Sequence, residues 1–186
     1  DVLRSLTIRF IECVILCHST VTSDANTVKT SARNARLSTL GADSVSLSDI
    51  SKKNPLFDAT SFRKIGEQYT RDLLDVIFKL LQGTSVYSMS NIRVVFNTLA
   101  SLGGHRSALM KIIVPNLLKS HSAFLICKEK MGVKDINAFQ TCFKSSFLKL
   151  LKLTASISWH NSLISSLEDL GAKDQAEKAK ELSTVA

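Results

Sequence analysis

Apolar residues recur three and four positions apart along most of the chain, with one long polar interruption. In residues 2–17 (VLRSLTIRFIECVILC), Leu3, Leu6, Phe10, Cys13 or Val14, and Cys17 fall on one helix face, the expected core side. The β-branched Ile8, Ile11, Val14 and Ile15 leave a buried strand as the alternative, and the length of the run favours the helix. Ser61–Gln82 holds the period throughout, with Phe62, Ile65, Tyr69, Leu73, Val76 or Ile77, and Leu80 inward. Asp58 or Thr60 is placed to cap its start and Gly83 to end it. Gly66 lies inside this helix. An interior glycine costs roughly 1 kcal/mol against alanine, so a close neighbouring helix is expected there.

The next helix runs from Ser88 or Ser90 to Leu102, with Ile92, Val95, Leu99 and Leu102 inward and Gly103-Gly104 as its stop. A further one starts near Arg106 and is expected to kink or break at Pro115, resuming through Leu117, Leu118 and Phe124. Asp135 is placed to cap a helix whose inner face is Ile136, Phe139, Phe143, Phe147 and Leu150 or Leu151. Ser156 or Ser158 opens another, with Trp159, Leu163, Leu167 and Leu170 inward and Gly171 at its end. The tail from Ala172 is polar, with Ala176, Ala179 and Leu182 as a weak inner face.

The pattern divides the chain into an N-terminal helix (1–18), a Ser/Thr-rich connector (19–59) and a helical domain (60–186). Two prolines and seven glycines in 186 residues suit long helices. The expected fold is all-α: six to seven helices packed as an irregular helical-hairpin array of α-solenoid type, or as a bundle. The Leu-x-x-Leu-Gly join at Leu99–Gly103 recurs at Leu167–Gly171, and a weaker form stands at Lys128–Gly132. The first residue is Asp1, which fits a processed form or a piece of a longer chain.

Asn91–Gly104 (NIRVVFNTLASLGG) followed by His105–Leu118 (HRSALMKIIVPNLL) resembles the helical-hairpin repeats of the heptatricopeptide and octotricopeptide proteins of organelle RNA metabolism. That resemblance implies a non-enzymatic subunit of an organellar RNA–protein assembly, such as a mitochondrial ribosome. It carries over no base-reading residue. The alternative is a helical protein–protein interaction or scaffold module without nucleic acid, either a subunit of a membrane-associated complex or a secreted antigen-like bundle.

Charge sharpens the RNA expectation. The net charge is +8, and residues 76–128 contain no acid while holding Lys79, Arg93, Arg106, Lys111, Lys119 and Lys128. A second acid-free run, 136–167, holds Lys144, Lys149 and Lys152. Within the connector, Lys29, Arg33 and Arg36 form one stripe if helical; a solvated linker or a transit-peptide-like remnant are the other readings. The candidate RNA-contacting set is therefore Lys29, Arg33, Arg36, Arg93 and Arg106, together with Lys111, Lys119, Lys144, Lys149 and Lys152. Contact would be with phosphates, because most aromatic residues sit at core spacing.

Catalytic and ligand motifs are missing from the sequence. It holds no phosphate-binding glycine loop, no dinucleotide fingerprint and no paired-carboxylate cluster. His18, His105, His121 and His160 lack an acid at triad or metal spacing and are expected at the surface or at helix ends. Cys13 and Cys17, four apart beside His18, do not make a zinc knuckle; with Cys127 and Cys142 they are expected as buried free thiols, a disulfide being the alternative. The expected protein is not an enzyme and uses no cofactor, metal or small-molecule substrate. Its partners are other protein subunits and RNA backbone, and it is intracellular, with the mitochondrion as the organelle the resemblance implies. The most apolar stretch, Ile8–Cys17, is too short to span a membrane and contains Arg9 and Glu12.

Overall fold

The computed structural model describes residues 2–19, 54, 56–82 and 88–184. Among them are seven α-helices and no strand: α1 (Val2–His18), α2 (Ala59–Gln82), α3 (Met89–His105), α4 (Met110–Cys127), α5 (Val133–Leu151), α6 (His160–Asp169) and α7 (Lys173–Thr184). Short 3₁₀ turns, Ser107–Leu109, Lys128–Lys130 and Thr154–Trp159, link α3 to α4, α4 to α5 and α5 to α6. The expected all-α class is the one observed.

The cross-helix contacts reveal a two-layer hairpin array. Ser5 meets Asn91, Glu12 meets Thr98 and Leu16 meets Arg106, so α1 and α3 run side by side in the same direction. Phe96 against Phe143, and Asn97 against Lys149, extend that parallel row to α5. The intervening helices return beneath it. His18 at the end of α1 stacks on Phe62 near the start of α2, while Ile8 and Ile11 share a groove with Val76 and Leu80 farther along. Phe124 stacks on Phe139, whereas His121 packs on Phe143 and Phe147, so α4 is antiparallel to α5. One core of buried side chains runs the length of the array, from Ile15 and Leu74 through Phe96, Phe143 and Phe147 to Leu167 and Ala176.

Several local expectations need correcting. The inward face of α1 is Ile8, Ile11 and Ile15, while Leu3, Leu6, Phe10, Cys13 and Cys17 point to solvent. This helix is apolar on two sides, so three-four spacing alone could not choose between them. Likewise α2 buries Leu74, Ile77, Phe78 and Leu81, leaving Ile65, Tyr69 and Val76 exposed.

Gly103 and Gly104 do not stop α3, which continues to His105. Pro115 does not break α4 either. Its missing donor falls opposite the carbonyl of Lys111, an exposed residue, and Asn116 Nδ2 donates to Ile112 O at 2.9 Å in the same turn. Helix α5 begins at Val133, two residues before Asp135, with Gly132 as its cap. At α2, Asp58 Oδ1 does accept from the backbone N–H groups of Thr60 and Ser61, at 2.9 and 3.1 Å. The Ser61 hydroxyl first, and then these backbone bonds, hold the Asp58 carboxyl below its usual range. Gly171, at φ 75°, closes α6 in the left-handed region as expected. Gly83 lies outside the described residues.

An exposed apolar face and the fate of the basic residues

The functional geometry starts with α1. Its inner side carries one charge: Glu12 is only 7% exposed. A buried carboxylate must be paired and hydrogen-bonded. Arg9 Nη1 lies 2.7 Å from Glu12 Oε2, and Thr98 Oγ1 donates to the same oxygen at 3.1 Å, which ties α1 to α3. At the other end, Arg106 Nη2 donates to Leu16 O at 2.6 Å, and its Nε reaches Ser19 O and Oγ at 3.2 and 3.0 Å. The C-terminal carbonyls of α1 thereby gain the cation they favour. Burial lowers the Arg106 pKa, with the neighbouring Cys17 acting in the opposite direction.

The outer side of α1 is unpartnered among the described residues. Leu3 is 77%, Leu6 60% and Phe10 68% exposed, followed by the exposed Cys13 and Cys17. Beside it, Arg4, Thr7, Ile8, Ile11, Val76, Leu80 and the start of α3 line a groove of about 260 Å³. That is below the usual size of a small-molecule site, and its walls are largely apolar.

The predicted basic residues that are described lie on or beside α3, α4 and α5. Lys29, Arg33 and Arg36 lie outside the described residues. Arg106 is spent on α1. Arg93 and Lys149 share the α3–α5 seam, where Arg93 lies beside Cys142 and Lys149 Nζ donates to Asn97 Oδ1 at 2.9 Å. Lys111 and Lys119 are exposed on α4, Lys152 is exposed just past α5, and Lys144 borders the start of α7 beside Gly171. The sequence signal that α1 was the surface to watch was present: hydrophobic residues on two sides of one helix.

The Ser156–His160 pair presents no open nucleophile. Ser156 Oγ and His160 Nε2 are 3.0 Å apart, but Ser156 is fully buried and its oxygen also lies 2.6 and 2.7 Å from the carbonyls of Leu150 and Leu153. The pair closes a turn. Cys13, Cys17 and Cys127 are exposed free thiols, against the expectation of burial; Cys142 is buried, which raises its pKa. His121 is also buried, not at the surface, and its Nε2 has no hydrogen-bond partner. Among the described residues no group of three or more His, Cys, Asp or Glu could hold a metal ion. One stretch, Ser107–Lys130, is long and apolar enough to cross a membrane by length and composition, yet its Ile113, Val114, Leu117 and Phe124 are packed in the core.

The profile described as Symplekin/PTA1 N-terminal matches residues 1–183, nearly the whole chain. The chain belongs to the Symplekin/PTA1 N-terminal family. A comparison with curated proteins returned no match.

Membership overturns the resemblance to heptatricopeptide and octotricopeptide repeats. The family is a helical scaffold of the nuclear cleavage and polyadenylation machinery, so the mitochondrial-ribosome reading and the mitochondrial location fall with it. Helical hairpins joined at Leu-Gly are common to many solenoids, and that join misled the comparison. A scaffold family implies protein partners.

Proposed function

We propose that this chain is a non-catalytic scaffold domain of the nuclear machinery that cleaves and polyadenylates mRNA precursors, acting by holding protein subunits. The family match across residues 1–183 carries this reading. The geometry supports it in two ways. Among the described residues the array offers long helical faces, and one of those faces is apolar and exposed. Catalysis is left to other subunits.

Depletion of the protein from nuclear extract of its source, followed by add-back, tests this. Cleavage of a synthetic mRNA precursor should fall on depletion and return with the recombinant chain in its full natural context. Unchanged cleavage after complete depletion would sink the proposal.

A further inference from the structure

Two polar stripes flank the outer side of the seam between α3 and α5. On α3 the stripe is Arg93, Asn97 and Ser101, and on α5 it is Ser145, Lys149 and Lys152, all at helical steps of three or four. Five of the six are exposed and Ser101 is half-buried. Beneath them Phe96 packs on Phe143 and closes the seam. α3 lies between α1 and α5, and α5 between α3 and α6, so this face belongs to the middle of the array and not to its edge.

Elsewhere on the described surface, cations meet carboxylates of their own helix. Arg9 reaches Glu12 at 2.7 Å and Lys79 reaches Asp75 at 3.4 Å. On the α3–α5 seam the partners are neutral. Lys149 Nζ donates to Asn97 Oδ1 at 2.9 Å, and Arg93 lies beside Cys142. Among the described residues neither cation has a carboxylate within ion-pair distance. α3 contains no acid, and α5 contains only Asp135, in its first turn. Residues 20–53 do not supply the missing charge either. They hold Lys29, Arg33, Arg36, Lys52 and Lys53 against Asp24, Asp43 and Asp49, and residues 83–87 are uncharged.

We propose that the outer α3–α5 face docks an acidic segment of a partner protein, with two of its carboxylates on Arg93 and Lys149. The spacing suits this occupant. Arg93 stands four residues before Asn97, which holds Lys149, and Cys142 stands seven before Lys149. At 1.5 Å per residue the two anchor points are about 6–10 Å apart along the seam, the separation of glutamates four or seven residues apart on one helix. Each contact would be a charge-assisted hydrogen bond, and holding Lys149 on Asn97 beforehand reduces the ordering that binding must impose. A second copy of this chain carries the same +8 charge and is repelled. Neither stripe bears an aromatic ring on which a nucleic-acid base could stack. The inference deepens the scaffold reading and rests on it for the partner's being a protein.

The probe is a fluorescein-labelled, alanine-based helical peptide with glutamates four and seven residues apart, added to the full chain and followed by fluorescence anisotropy at low salt. Binding should saturate. Arg93→Glu combined with Lys149→Glu should weaken it at least tenfold. Lys111→Glu combined with Lys119→Glu makes the same change of net charge on exposed lysines of α4 and should weaken it less than threefold. Circular dichroism of both double variants should show unchanged helix content. Carbodiimide, which condenses a carboxylate and an amine to an amide, should join the probe to Lys149 or Lys152. Equal losses from the two double variants mean attraction to overall charge alone and overturn the proposal. So do absence of saturable binding and cross-links confined to other lysines. A polyuridylate oligonucleotide that displaces the peptide, and itself loses tenfold on the Arg93/Lys149 double variant, gives the face to RNA and overturns it as well. None of these results alters the depletion assay, so failure of the docking face and failure of the scaffold reading are told apart.

Discussion

Gly103 and Gly104 are adjacent, both helical, and should respond to alanine with opposite signs. At Gly103 an added Cβ would sit 2.7 Å from Met110 Sδ and 3.3 Å from Leu150 Cδ2. Met110 and Leu150 are themselves almost fully buried, so neither can swing into solvent. Methionine is adaptable, which moderates the clash. Overpacking of a filled core costs about 1–3 kcal/mol. Against it stands the gain from removing a helical glycine, roughly 0.5–1 kcal/mol. Gly103→Ala should therefore lose up to about 2.5 kcal/mol net, lowering Tm by up to about 10 °C for a domain of this size. At Gly104 nothing lies within 4 Å of the added atom and the φ is negative, so only the gain remains. The site is next to the helix end at His105, so about 0.5 kcal/mol is expected, in the stabilising direction. Urea unfolding of the two variants beside the parent measures both. Met110→Ala should cost less in the Gly103→Ala background than alone, with a coupling of at least about 0.5 kcal/mol. If both glycine variants shift stability the same way, the close approach of α3, α4 and α5 at Gly103 is wrong.

Three further outcomes follow from the packing. Burial lowers the pKa of His121 below its ordinary 6.5, with Asp169 acting in the opposite direction, so the proton binds preferentially to the unfolded chain. Stability should be full above about pH 6.5 and decline as pH falls through it, and His121→Leu should flatten that slope in unfolding curves taken at several pH values. Arg106→Met should destabilise the protein by about 1–3 kcal/mol by stripping donors from Leu16 O and Ser19, and hydrogen exchange should rise first in the last turn of α1. Thiol titration with an aromatic disulfide should label Cys13, Cys17 and Cys127 rapidly and Cys142 at least tenfold more slowly, since burial both shields it and raises its pKa.

Much of the architecture can be read from the sequence because helix period and core burial coincide over α3, α5 and α6. Phe139, Phe143 and Phe147 are buried where their spacing placed them, as are Ile92, Val95, Leu99 and Leu102. Reading failed where two stripes compete. In α1, Leu3-Leu6-Phe10 and Ile8-Ile11-Ile15 have equal spacing, and the decision rests on a long-range fact, the Thr98 hydroxyl that makes Glu12 tolerable inside. Glycine and proline misled for a related reason: Gly103 serves close approach instead of termination, and Pro115 sets its missing donor opposite an exposed residue. The charge map named real lysines and arginines without revealing their partners, so Arg106, a helix anchor, looked the same as Lys119, an open surface cation. A shared Leu-Gly hairpin joint is too general to separate one solenoid family from another.

The scaffold account is tested most directly by sedimenting the native protein from nuclei of its source, with and without nuclease, while following cleavage and polyadenylation activity across the gradient. The account predicts a large particle that carries that activity and keeps this chain after the nucleic acid is digested, because protein contacts hold it there. A chain that drops to a small species on nuclease treatment, or that never travels with the activity, would contradict it.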